Sequence, residues 1–144
     1  MAVEVSIVRK RLLTAISAAR GRATERREQT AQAGQAYDTF LQRVATPVTK
    51  LVANALKSEN YAFTVFTPRG GLRLASDRGR DDYVEFVLDT AGERPQVCGR
   101  ISLTRGSRTL TNERPIKPDA SPDALSEDDV LEFLLEALEP WLER

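Results

Sequence analysis

Along the first third of the chain, Met1 to Ser58, apolar side chains keep returning to one side of a wheel drawn at about 100° per residue. Val5, Val8, Leu12, Ile16 and Ala19 open this stripe. The same phase continues through Ala23, Arg26, Thr30, Ala33 and Tyr37 to Leu41, Val44, Val48, Val52 and Ala55. A helix from Val3 to Ala45 would be about 65 Å long at about 1.5 Å per residue, whereas the residues behind it make a domain only about 30 Å across. A helical arm of that length must lie against a second copy of the chain or another protein. Its middle is the weak part. Ser17 to Ala36 contains no Leu, Ile, Val, Phe or Met, and Gly21 and Gly34 each weaken a helix by up to about 1 kcal/mol relative to Ala. A polar linker between two shorter helices is therefore the alternative to one continuous helix, which is the expectation.

Charge divides the chain in the same way. The formal net charge is zero, yet residues 1–58 carry 10 Lys and Arg against 4 Asp and Glu, and residues 119–144 carry 1 against 9. A basic arm and an acidic tail fit two helices that face one another, or a nucleic-acid contact through the arm. The start of the chain shares its Arg-rich, acid-poor, amphipathic composition with transit peptides. Because the stripe continues in phase past any cleavage point, the segment is expected to belong to the mature protein. A membrane-surface role for it remains as an alternative, with Arg9 and Arg20 on one side of the stripe and Arg11 and Arg22 on the other.

After Tyr61 the period changes to two. YAFTVFT, LRLAS, YVEFVLD, VCGRISLT and RTLTNE read as five strands joined by short turns, which favours an antiparallel meander. Val84, Phe86 and Leu88 share a core face with Leu72, Leu74, Ile101, Leu103 and either Phe63 or Phe66. Arg73, Glu85 and Arg100 fall on the other face as cross-strand charge pairs. Thr46-Pro47 marks a joint, with Thr46 as cap and a second helix from Pro47 to Lys57. Ser126 with Asp129 announces the last helix as a variant capping box, and Pro140 ends or kinks it.

That last helix is apolar over most of its circumference, more than a helix covering one face of a sheet requires. The surplus must be buried against the Pro47 helix or a neighbouring subunit. Leu134, Leu138 and Trp141 are the expected contacts, joining Val5, Val8, Leu12, Ile16, Ala19 and Tyr37 of the arm.

Little chemistry is nominated. With no histidine, Ser-His and Cys-His nucleophile pairs and His-ligated zinc are excluded. Cys98 alone forms no intramolecular disulfide and sits in a strand as a small buried hydrophobe, which suits a reducing, cytoplasmic setting. No phosphate-binding glycine loop is present, and Arg69-Gly70-Gly71 reads as a hairpin tip. Asp77, Asp81, Asp82, Glu85 and Asp89 are interleaved with Arg78 and Arg80, so a solvated, self-neutralised loop is expected rather than a magnesium site. The chain prefers arginine, with 17 Arg against 4 Lys. Codon bias is the favoured explanation; the functional one is phosphate contact.

These readings combine into an α+β protein: a long N-terminal helical arm (residues 1–45), then a domain (residues 46–144) of helix, five-stranded antiparallel meander and C-terminal helix packed on the sheet. The expected function is non-enzymatic assembly or adaptor work without cofactor or metal. The chain would be a homo-oligomer or a subunit of a larger complex, with no transmembrane run of the required length. The alternative is a nucleic-acid-binding accessory protein, using Arg20, Arg22, Arg26 and Arg27 of the arm and the hairpin-tip residues Arg105 and Arg108. Single-strand binding also needs exposed stacking aromatics, and Tyr61, Phe63, Phe66, Tyr83 and Phe86 are read as core.

Overall fold

The computed structural model describes residues 2–143; Met1, with which the expected arm begins, lies outside them. Helix α1 spans Val5–Phe40 without interruption, so the polar middle is helix and not linker. It is followed by a π-helical turn, Leu41–Ala45, and by α2, Thr46–Ser58. The five strands are β1 (Phe63–Phe66), β2 (Leu72–Ser76), β3 (Tyr83–Asp89), β4 (Gln96–Arg105) and β5 (Arg108–Pro115). They pair antiparallel in sequence order, so the meander is complete. Helix α3 covers Glu127–Leu142. Among the described residues no helix is long and apolar enough to cross a membrane.

The expected joint at Thr46-Pro47 is not a break. Thr46 has helical dihedrals (φ −64°, ψ −48°) and caps nothing; its N–H donates to the Leu41 carbonyl, five residues back. Pro47 has no N–H to give. The wider turn placed just before it shifts the hydrogen-bond register, and the helix continues. One extra residue spent in that turn also moves the buried face. Tyr37 and Phe40 are buried before it, and Ala45, Val48, Thr49, Val52, Ala53 and Leu56 after it, whereas Ala55 is exposed. The single unbroken stripe inferred from spacing therefore slips by one position here.

The chain divides into two compact units, Met1–Gln32 and Ala33–Arg144. Tyr37 and Phe40, within the stretch read as arm, belong to the core of the second unit.

That core fills the space between one sheet face and the helices α2 and α3. Leu72, Leu74, Val84 and Phe86 supply the strand side; Val130, Phe133, Leu134, Leu138 and Trp141 supply the α3 side. Phe133 stacks at a tilt on Phe86 with centroids 5.9 Å apart, and Trp141 meets Phe63 edge-on, also at 5.9 Å. Gly99 makes room for this packing: a Cβ there would collide with the Phe133 ring.

Helix ends are closed by local chemistry. Ser126 accepts from the Asp129 N–H while the Asp129 carboxylate accepts from the Ser126 N–H, the reciprocal box expected from sequence. Pro140 neither ends nor replaces the final turn, for α3 runs on to Leu142. At the end of α2, Asn60 adopts φ 69° and the Tyr61 and Asn60 N–H groups donate to the Leu56 and Lys57 carbonyls. This is a Schellman closure, with Asn in the left-handed position more often filled by Gly.

Candidate interaction site

Among the described residues, two apolar surfaces stand open in the single chain. The first is the arm stripe. Val5, Val8, Leu12 and Ile16 are exposed by 83, 50, 57 and 37 %, and Leu13 beside them by 57 %. Ala19 is exposed as well. None of the described residues in 2–32 is buried. From Val5 to Arg22 the helix carries Arg9, Lys10, Arg11, Arg20 and Arg22 and no acidic residue.

The second is a groove of about 520 Å³ between α2 and α3, lined by Leu51, Leu131, Leu135, Leu142 and Tyr61 among others. It arises because α3 is apolar on more than its core side. Val130, Phe133, Leu134, Ala137, Leu138 and Trp141 point into the core, leaving Leu131, Leu135 and Leu142 outside it. Leu51 on α2 is left out in the same way. The charged residues lining the groove are Glu59, Glu127 and Asp128.

Of the sequence-derived interface positions, Leu134, Leu138, Trp141 and Tyr37 are spoken for within the chain. The first three are buried in the domain's own core, since they project from α3 toward the sheet. The Tyr37 hydroxyl lies 3.1 Å from both the Gly70 and the Phe86 carbonyl oxygens, which share its one proton. Burial first, and then the charges of Glu85 and Asp38, push the Tyr37 phenol well above its ordinary range. The exposed α3 positions that sequence reasoning missed are Leu131, three residues before Leu134, and Leu135, directly after it. Only the direction of the sheet distinguishes the two sets.

The outer sheet face carries a ladder of paired charges. Arg73, Glu85, Arg100 and Glu113 stand directly opposite one another across β2, β3, β4 and β5. Their ion pairs measure 3.1, 3.9 and 3.4 Å. The Arg73 guanidinium also lies 4.0 Å from the Tyr83 ring centroid. On the same face the Cys98 thiol is buried, and burial, followed by Asp89 and Glu113, raises its pKa. Phe66 departs from expectation. Its partner in register is Arg73, which places it on this outer face at 52 % exposure, while Phe63 takes the core position. Phe66 borders an open cleft of about 650 Å³ together with Arg73, Arg78 and Arg80.

The arginines nominated for nucleic acid are dispersed. Arg20, Arg22, Arg26 and Arg27 are exposed on α1, and Arg27 donates to the Thr24 hydroxyl at 3.3 Å. Arg105 and Arg108 face each other across the β4–β5 turn. Among the described residues no group of three His, Cys, Asp or Glu side chains is placed to hold a metal ion. Comparison with protein-family models, with curated proteins and with solved structures found no match for this chain.

Proposed function

We propose that the protein is a non-enzymatic, cytoplasmic assembly or adaptor protein that associates through the N-terminal arm. One observation supports this above all: a helix presents Val5, Val8, Leu12 and Ile16 in phase on one side, all exposed in the single chain. Contiguous exposed apolar patches on soluble proteins mark interaction surfaces. Burying a large aliphatic side chain is worth about 1.5 to 3 kcal/mol, so four of them offset a good part of the association cost. Ala19 and Ala23, in phase with the stripe, let a partner backbone approach closely. The test is the solution mass of Leu12→Ser/Ile16→Ser against the parent. The variant should dissociate while its sheet domain keeps the parent melting behaviour. A double variant that retains the parent mass would count against the arm.

A second reading, nucleic-acid binding, gains support from Phe66. An exposed aromatic beside Arg78 and Arg80 combines a stacking platform with phosphate-binding groups. Affinity for single-stranded nucleic acid should then fall steeply with salt and should drop on Phe66→Ala. Absence of binding at about 50 mM salt would remove this reading.

A further inference from the structure

We propose that the groove between α2 and α3 receives the Val5–Arg22 stretch of a second copy of the chain. The inference rests on the assembly reading above and gives the arm its partner.

The arm stripe and the groove match in chemistry and in length. The stripe from Val5 to Ile16 and the groove wall from Leu131 to Leu142 each extend about 17 Å at about 1.5 Å per residue. Leu131 and Leu135 are 37 and 51 % exposed, so both await cover. A helix laid along the groove would turn two helices into a three-helix layer, the usual way an amphipathic segment is captured.

Charge selects the occupant. The carboxylates at the groove lie on both walls, Glu59 at the end of α2 and Glu127 and Asp128 at the start of α3. The arm's basic residues likewise flank its stripe on both sides, Arg9 and Arg20 on one and Arg11 and Arg22 on the other. Two grooves brought face to face would set carboxylate against carboxylate, and two arms would set guanidinium against guanidinium. The arm-to-groove pairing is the one that brings opposite charges together. Each chain carries one stripe and one groove, so two copies exchanging arms satisfy both surfaces in a closed two-fold dimer.

Complementation between two full-length variants tests this. One is disabled in the arm (Leu12→Ser/Ile16→Ser), the other in the groove (Leu131→Asp/Leu135→Asp), at positions outside the core. Each alone should show a dissociation constant raised at least tenfold, as read by sedimentation. Mixed in equal amounts they should form a species of twice the chain mass containing one of each, because one intact arm still meets one intact groove. Higher salt should weaken the parent dimer.

A groove variant that keeps the parent mass while the arm variant dissociates would mean that arms pair with arms. The groove proposal would then be wrong and the assembly reading would stand. An arm variant that keeps the parent mass would overturn both. A monomeric parent whose arm resists protease until the groove is altered would place the chain's own arm in the groove and overturn the second copy as occupant.

Discussion

The first 32 residues and the 112 that follow are both rich in helix, yet they use it in opposite ways. In α3 nearly every turn contributes a large apolar residue, and the helix is held by a sheet beneath it. In α1 up to Gln32 the large residues stop at Ile16, and none of the described residues is buried. The contrast teaches that helical period alone does not make a core. Density of large side chains along the stripe decides whether a helix is absorbed by its own domain. A sparse stripe with ordinary helix formers between its members still forms a helix, but it leaves that helix open to partners.

Paired substitutions give the sharpest way to break the contrast. Leu134→Asp buries an unpaired carboxylate and should cost several kcal/mol, seen as a large fall in the denaturation midpoint. Leu135→Asp, one residue along the same helix, and Leu12→Asp in the arm should leave the intrinsic stability of the domain nearly unchanged when measured at concentrations where only monomer is present. Similar losses at Leu134 and Leu12 would erase the distinction.

Gly99→Ala comes next. Its new methyl group meets the ring of Phe133, which is buried and already packed on Phe86. Overpacking of this kind costs about 1 to 3 kcal/mol. The double change Gly99→Ala/Phe133→Leu should recover part of it. Failure to recover would show that the glycine serves the strand and not the ring.

Ser126→Ala should have the smallest effect, about 1 kcal/mol, through loss of the cap. It carries a pH signature. The backbone N–H of Ser126 holds the Asp129 carboxyl below its ordinary range, against a smaller opposing effect of burial, with help from the Ser126 hydroxyl and Lys117. The native state therefore binds fewer protons than the unfolded chain just below the usual aspartate pKa of about 3.9. The stabilisation is complete above that value and is lost as pH falls through the lowered folded value. Asp129→Asn should flatten the acid limb of the stability profile. An unchanged acid limb would mean that the carboxylate contributes little to folding.

The sheet was legible from sequence because period two is unambiguous when β-branched and aromatic residues alternate with charge, as in YVEFVLD, whose limits coincide with β3. The charge ladder followed from the same alternation. The capping box was legible because two residues at fixed spacing carry it. The slip of the buried face across Leu41–Ala45 was not. Within and after the slip the sequence offers apolar residues in adjacent pairs, Val44 with Ala45, Val52 with Ala53, and Ala55 with Leu56, so both phases fit. The allocation of α3 leucines between core and groove was hidden for a related reason. Leu134 and Leu135 are chemically identical, and only the place of Leu134 in the core beneath the helix tells them apart.

The π-helical turn makes chain length itself a structural variable between Phe40 and Thr46. Removing one residue there would restore α-helical spacing and rotate the face of α2 by about 100° relative to Tyr37 and Phe40. Either Tyr37 and Phe40 or Val52 and Leu56 would then have to leave the interior. The same deletion in the loop between β3 and β4 would only shorten a solvent-facing connection. A one-residue change is thus a trimming at one place in this chain and a choice between two sets of anchors at another.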